Sequence, residues 1–133
     1  YVGAKIRTGS FTSTDIELQS VEMDGSLTQT PEFPYNWMYD GSRPQMPGFE
    51  MEITCKSLFL IFKDSGEMDV GKADVFVNDV YCMTADPHKN NWLHCNAVLL
   101  FWETESRSHK VRITVTEEDQ NKKFTILGFG YTI

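Results

Sequence analysis

Hydrophobic and polar residues alternate with a period of two along much of this chain, and this period is typical of β-strands. The clearest case is Phe49–Thr54, FEMEIT, in which apolar and polar side chains alternate strictly. His109–Thr116, HKVRITVT, repeats the pattern later in the chain. Ala4–Thr8 and Asp15–Val21 predict two shorter strands. No segment shows the helical period of an amphipathic helix, so we expect an all-β protein.

Two other segments are continuously apolar. Ser57–Phe62, SLFLIF, and Asn96–Trp102, NAVLLFW, contain almost no polar positions. Such runs are typical of strands that are covered on both faces. We therefore expect both strands to be fully buried and Trp102 to pack in the core. Lys123–Ile133, KFTILGFGYTI, predicts a closing strand in which two glycines permit a bulge or a close backbone approach.

Gly71–Met83, GKADVFVNDVYCM, predicts a β-hairpin. Val75 and Val77 alternate with polar or aromatic neighbours, and a second apolar run follows after two residues. Those two residues, Asn78 and Asp79, tolerate the positive φ that a tight hairpin turn requires.

These segments give about eight or nine short strands separated by turn signals, which indicates a sandwich or a barrel. We predict a two-sheet antiparallel β-sandwich of the jelly-roll type, formed by residues 1–133 as a single domain. Because Tyr1 is not an initiator methionine, we expect the domain to be excised from a larger multidomain protein.

Charge excludes some partners. The chain has 12 basic and 19 acidic residues, for a formal net charge of −7. Nucleic-acid backbones and anionic membranes attract clustered Lys and Arg, so neither is an expected partner. No apolar run approaches the ~20 residues of a membrane span.

Two segments lack periodicity. Glu22–Gly48 contains four of the chain's five prolines, which exclude a helix and a central strand, and it contains several aromatic residues. Thr84–Cys95, TADPHKNNWLHC, is the second. We expect both to be loops, and long loops rich in aromatic residues are commonly functional.

The segments GKADVFVN, NAVLLFW and KKFTILGFGYTI, taken in this order, resemble the β-sandwich accessory domain joined to bacterial SGNH (GDSL-type) hydrolases and related polysaccharide-degrading enzymes. The resemblance runs from about Phe49 to the end of the chain. It implies a jelly-roll fold, bacterial glycan degradation outside the cytoplasm, and a role as a carbohydrate-binding or supporting module. The matched positions are core and turn positions, so the resemblance implies no binding residue.

A catalytic role is not expected. An SGNH hydrolase needs a Gly-Asp-Ser nucleophile and a downstream Asp-x-x-His, and the sequence has neither. Glu50 and Glu52 have the spacing to share a strand face as a glycosidase pair would, but solvated surface charges are far commoner. His109 is expected to be an exposed turn residue. His88 and His94 lack the tighter spacing and additional ligands of a zinc site.

The sequence says less about bound cofactors and about the state of the cysteines. No cofactor is expected, although a structural calcium ion is possible because oxygen ligands are plentiful. The three cysteines form no CxxC pair, and their odd number leaves at least one free thiol. Buried thiols are the favoured interpretation, and a disulfide stays possible in a secreted protein.

The aromatic loops contain the candidate binding residues. A sugar ring has an apolar face that can stack on an exposed aromatic ring, while polar neighbours bond its hydroxyls. Trp92 and Trp37 are predicted to be the stacking platforms, with these residues as further contacts: Tyr39, Asn91, His94 and Tyr35. The alternative is that these aromatics fold back and cap the open end of the sandwich.

The sequence thus supports two functions. The first is a non-catalytic carbohydrate-binding module, secreted or on the cell surface. It would target the attached catalytic domain to a neutral plant polysaccharide such as β-glucan, xylan or mannan. The alternative is a structural accessory domain of an SGNH-type carbohydrate esterase, with no ligand of its own. A large apolar face that only a neighbouring domain could cover would favour the alternative.

Overall fold

The structure is a computed structural model that describes residues 3–15, 21–22, 29–30, 35–42, 47–89 and 95–133. At residues 21–22 and 29–30 it describes the backbone only. Most of the predicted strand Asp15–Val21 lies outside the described residues. The strands of the described part are β1 (Lys5–Arg7), β2 (Val21–Glu22), β3 (Gln29–Thr30), β4 (Trp37–Tyr39), β5 (Phe49–Lys63), β6 (Ala73–Val77), β7 (Val80–Ala85), β8 (Cys95–Val115) and β9 (Phe124–Thr132).

Seven of these strands form one antiparallel sheet. Six of them follow the order β4-β9-β5-β8-β6-β7, and the seventh, β1, pairs with β5. β2 and β3 pair separately. Within the described residues the helical structure is a single 3₁₀ turn, Glu117–Asp119, and no helix there has the length and apolar character to cross a bilayer. The all-β antiparallel fold is confirmed, whereas the two-sheet jelly roll stays a prediction.

β5 joins two segments that the sequence predicts as separate strands. It runs without a break from Phe49 to Lys63, but its register with β8 shifts between Cys55 and Ser57. This shift changes which positions face inward. The buried apolar residues are Phe49, Met51, Ile53 and Cys55 before it, and Leu58, Leu60 and Phe62 after it.

β8 has 21 residues, against 15 in β5, and contains the matching irregularity. Trp102 pairs with Ser57 and Arg107 pairs with Cys55, so four residues of β8 lie opposite one residue of β5. These four extra residues, 103–106, overlap Thr104–Ser108, where the sequence predicts a turn. The irregularity divides the β5–β8 ladder into two halves.

Aromatic side chains join the inner faces of these halves in one core. The ring of Phe11 lies 6.2 Å from that of Phe49 and 6.4 Å from that of Phe124, measured between ring centroids. Phe62 stacks on Phe124 at 5.7 Å. Each fully buried aromatic of this kind contributes roughly 1.5–3 kcal/mol of transfer free energy.

The hairpin predicted at Gly71–Met83 is confirmed. β6 and β7 pair through a two-residue turn in which Asn78 and Asp79 adopt φ of 51° and 66°. The Asn78 side chain accepts a hydrogen bond from the backbone N–H of Lys110 at 3.0 Å. The turn is therefore attached to β8 as well as to its own two strands.

The predicted loop Glu22–Gly48 contains more structure than expected. β4 lies within it and pairs with Phe124–Ile126 of β9. β4 ends the strand order of the sheet, as expected for a strand in a proline-rich segment. The interpretation of the whole segment as a loop was wrong at β3 and at β4.

Candidate functional site

Trp37 packs against the aromatic core. Its ring centroid lies 5.3 Å from that of Phe49 and 6.3 Å from that of Phe129, and its side chain is partly buried. These contacts match the alternative in which a loop aromatic caps the core. A sugar could reach only the remaining exposed part of the Trp37 ring.

Tyr39 cannot be a surface contact. Its side chain is only 2% exposed, and its hydroxyl donates a hydrogen bond to the backbone carbonyl of Gln120. Burial, together with the nearby Asp40 carboxylate, raises the pKa of the Tyr39 hydroxyl. The prediction that Tyr39 contacts a glycan was therefore wrong. Tyr39 is the last residue of β4, and its side chain points into the core.

Tyr35 remains accessible. It is 85% exposed, directly before Asn36. The Asn36 side chain accepts a hydrogen bond from the backbone N–H of Asp15 at 2.8 Å and is buried, so it fixes the chain beside Tyr35. The predicted residues Trp92, Asn91 and His94 lie outside the described residues and stay predictions.

An exposed apolar surface lies where the sequence predicts two fully buried strands. Trp102 is 81% exposed, Leu99 is 51% exposed and Phe59 is 40% exposed. The predictions of complete burial for Ser57–Phe62 and Asn96–Trp102, and of core packing for Trp102, were therefore wrong. The reason is that, in the described residues, no second layer covers the outer side of these strands.

The strand register brings these residues together. Phe59 pairs with Leu99, and Ile61 pairs with Ala97, while Trp102 pairs with Ser57. Directly paired residues of an antiparallel ladder point to the same face. We call this surface the apolar patch, defined as Phe59, Ile61, Ala97, Leu99 and Trp102.

Two glycines extend the apolar patch onto β9. Gly130 pairs with Phe59, and Gly128 pairs with Ile61. A methyl group at Gly130 would meet the Phe59 side chain at 3.7 Å, and one at Gly128 would meet nothing within 4 Å. At Gly128 and Gly130 the patch is thus bordered by bare backbone. An exposed Trp among other apolar side chains is typical of a protein-interaction surface.

The other half of the same outer face is polar. Here Glu50 and Glu52 of β5 pair with Arg112 and Lys110 of β8. We call this surface the polar half, defined as the outward residues Lys5, Arg7, Glu50, Glu52, Lys110, Arg112, Phe76 and Tyr81. The acidic pair that the sequence marks as a possible glycosidase pair therefore lies among basic side chains.

His109 is buried rather than exposed, so its prediction as a turn residue was wrong. The side-chain oxygen of Asn78 already accepts a hydrogen bond from the backbone N–H of Lys110. The side-chain NH₂ group of Asn78 therefore donates to His109 Nδ1 at 2.9 Å. Nε2 then donates to Glu103 Oε1 at 2.6 Å. Both ring nitrogens are occupied, and the ring also lies 4.1 Å from that of Phe101. His109 therefore connects the hairpin turn to β8 and has no free nitrogen to activate a nucleophile.

Among the described residues, neither metal ligands nor thiols form a further site. Within the described part of the chain, no three His, Cys, Asp or Glu side chains are grouped so that they could hold a metal ion. The three cysteines lie in that part and are joined by no disulfide. Cys55 is buried, and burial raises the pKa of its thiol and that of Cys82. Deprotonated, reactive thiols are therefore not expected at these two positions.

Comparison with known proteins identifies relatives by structure alone. No protein-family model matches the sequence, and no curated protein matches it significantly. Among solved structures, the chain is similar to a two-domain esterase active on acetylated mannans, with a TM-score of 0.57 and 13% identity over 97% of this chain and 36% of that one. The same esterase co-crystallised with mannopentaose gives a TM-score of 0.50 and 16% identity over 86% of this chain and 33% of that one.

A family two carbohydrate esterase from Cellvibrio japonicus is also similar, with a TM-score of 0.47 and 13% identity over 92% of this chain and 32% of that one. The chain thus spans about a third of the length of the carbohydrate esterases that it resembles. At 13–16% identity, the likeness to the two-domain esterase establishes a shared β-fold.

Proposed function

We propose that this chain is a non-catalytic domain of a larger, secreted carbohydrate-active enzyme and that it holds the enzyme on a neutral plant polysaccharide. The observation that supports this most is the alignment of 97% of the chain with 36% of a two-domain esterase. An alignment of that form is what one domain of a two-domain enzyme would give.

The described histidines support a non-catalytic role. Hydrogen bonds occupy both ring nitrogens of His109. His88 bonds through Nε2 to the backbone carbonyl oxygen of Glu67 at 2.7 Å. A histidine that acts as a general base needs a ring nitrogen within hydrogen-bond reach of the nucleophile. The sequence also lacks the Gly-Asp-Ser motif that a nucleophile of the SGNH type requires.

Acetylated mannan is the first glycan to test, because the esterase with the similar fold acts on acetylated mannans. Xylan and β-glucan are the other neutral candidates. Exposed Tyr35 and partly buried Trp37, at the start of β4, are available for stacking, together with the predicted contacts Trp92, Asn91 and His94.

Native gels that contain soluble polysaccharide test this function. We expect acetylated glucomannan to retard the purified chain relative to a gel without polysaccharide. If the loops form the site, Trp92→Ala or Tyr35→Ala removes the retardation, whereas Met68→Ala, which alters an exposed turn residue, does not. A parent chain that migrates unchanged in all three polysaccharides would refute the binding role.

A structural accessory domain with no ligand is the second candidate, and the apolar patch favours it. Trp102 is 81% exposed and Leu99 is 51% exposed, and both belong to the same outward row of β8. The occupant we propose is the catalytic domain of the same polypeptide, since the similar esterases contain about two thirds of additional chain.

Hydroxyl-radical footprinting of the isolated chain and of the complete natural polypeptide tests this second candidate. We expect oxidation of Trp102 to fall severalfold in the complete polypeptide, while oxidation of Tyr81 in the polar half stays constant. Equal oxidation of Trp102 in both proteins would exclude domain docking at the patch. Protection that depends on the concentration of the isolated chain would instead indicate a second copy.

A further inference from the structure

One row of side chains crosses five strands on the polar half. Arg7 pairs with Glu50, and Glu50 pairs with Arg112. Arg112 then pairs with Phe76, and Phe76 pairs with Tyr81. Since paired residues share a face, all five point outward. With neighbouring strands about 4.8 Å apart, the row extends about 19 Å, which is the length of several sugar rings.

The aromatic end of this row is held in place before any ligand arrives. The guanidinium carbon of Arg112 lies 4.0 Å from the ring centroid of Phe76, and Tyr81 meets the same ring edge-on at 6.0 Å. The Tyr81 hydroxyl bonds to Thr84 Oγ1 at 2.7 Å, and Thr84 donates to Asp74 at 2.6 Å. Tyr81 nevertheless remains 56% exposed. It is therefore a fixed ring with an open surface, and preorganisation of this kind reduces the entropy lost on binding.

A groove lies at the β1 end of this row and includes Arg7 and Glu50. Its volume is about 360 Å³, and its lining includes Lys5, Arg7, Glu50, Glu52 and Lys110. Among the described residues, no ion pair within 4.0 Å involves Lys5, Arg7, Glu50 or Glu52. Their charged groups therefore keep hydrogen-bonding capacity for a ligand.

We propose that the polar half binds a linear, neutral polysaccharide that lies across the strands, with one sugar ring stacked on Tyr81 and hydroxyl groups bonded in the groove. The inference rests on the carbohydrate-binding part of the proposed function and places its site on the sheet face instead of in the aromatic loops.

The order of charges favours a neutral chain. Lys and Arg only donate hydrogen bonds, and an ionised Glu only accepts them, whereas a sugar hydroxyl does both. Glu50 and Glu52 lie on β5, between the basic residues of β1 and those of β8. A polysaccharide rich in carboxylates would be attracted by the four basic side chains at the sides of the polar half, but it would also meet both glutamates at the centre, where like charges repel.

The test uses native gels with acetylated glucomannan, xylan, β-glucan and polygalacturonate. We expect Tyr81→Ala and Glu52→Ala to weaken binding of a neutral glycan about tenfold or more. Tyr81→Phe keeps the ring but loses the hydrogen bond to Thr84 that fixes it, and should keep most of the binding. Tyr131→Ala and Glu105→Ala remove an aromatic ring and a carboxylate outside the groove and should leave binding unchanged.

Each other result has a distinct meaning. Retardation that survives Tyr81→Ala and Glu52→Ala but is lost in Trp92→Ala or Tyr35→Ala overturns the sheet-face site and leaves the proposed function standing. No retardation of the parent chain by any glycan overturns both. Preferential retardation by polygalacturonate that disappears in salt overturns the neutral ligand class.

Discussion

The two described tryptophans should differ sharply in their contribution to stability. Trp37→Ala removes a partly buried indole that contacts Phe49 and Phe129. Complete burial would make the cost about 3–5 kcal/mol, and each ring pair adds about 0.5–1.5 kcal/mol beyond the buried area. Because Trp37 keeps some exposure, we expect a loss of about 3 kcal/mol. For a domain of this size, the unfolding midpoint would fall by roughly 10 °C.

Trp102→Ala is the matched control. Its ring is 81% exposed, so the change should alter the free energy of unfolding by no more than about 0.5 kcal/mol. Urea and thermal unfolding of the parent and both variants, followed by circular dichroism, measure the difference. Equal destabilisation by the two substitutions would show that Trp102 is covered in the isolated chain and would refute our assignment of the apolar patch. A neutral Trp37→Ala would refute the packing of Trp37 on the core.

Two further changes test local features. Burial alone would raise the pKa of the Asp119 carboxyl, but the Lys72 backbone N–H, the Lys122 ammonium and the Thr116 hydroxyl together outweigh it and lower that pKa. The charged group therefore stabilises the fold at neutral pH, and this stability is lost as pH falls below about 4 and through the lower folded-state pKa. Urea midpoints measured against pH should show a weaker acid dependence in Asp119→Asn, and an unchanged slope would contradict the assignment. In the hairpin turn, Asp79→Gly relieves a positive φ of 66° beside Asn78 and should raise the free energy of unfolding by about 0.5–1 kcal/mol. A loss of stability in the urea titration of that variant would show that the Asp79 side chain stabilises the turn.

Local sequence signals predicted the parts of the fold that depend on neighbouring residues. The hairpin at Gly71–Met83 requires two residues that accept positive φ, and Asn78 and Asp79 were recognised for that reason. The alternation in Phe49–Thr54 and His109–Thr116 predicted which side chains face the core. These features follow from backbone geometry over a few residues, so no distant contact is needed to predict them.

Long-range contacts decided the features that the sequence did not predict. The packing of Trp37 depends on Phe129, which lies far along the chain. His109 is buried because Asn78 and Glu103 satisfy its ring. Trp102 belongs to a continuous apolar run, and such a run does not show which of its faces will be covered. Without the sheet order, the exposed Trp102 cannot be distinguished from a core residue.

The register shift in β5 has a consequence for how this domain can evolve. Without it, the alternation set by Met51 and Ile53 would continue, so that Phe59 would turn inward and Leu60 outward. Both sets of side chains are apolar, so either orientation could fill a core. The gain or loss of a single residue near Cys55 would therefore exchange the buried surface with the displayed one and leave the strand in place. A lineage of such domains could acquire a new docking surface, or remove an old one, by one insertion or deletion and without any change of residue type.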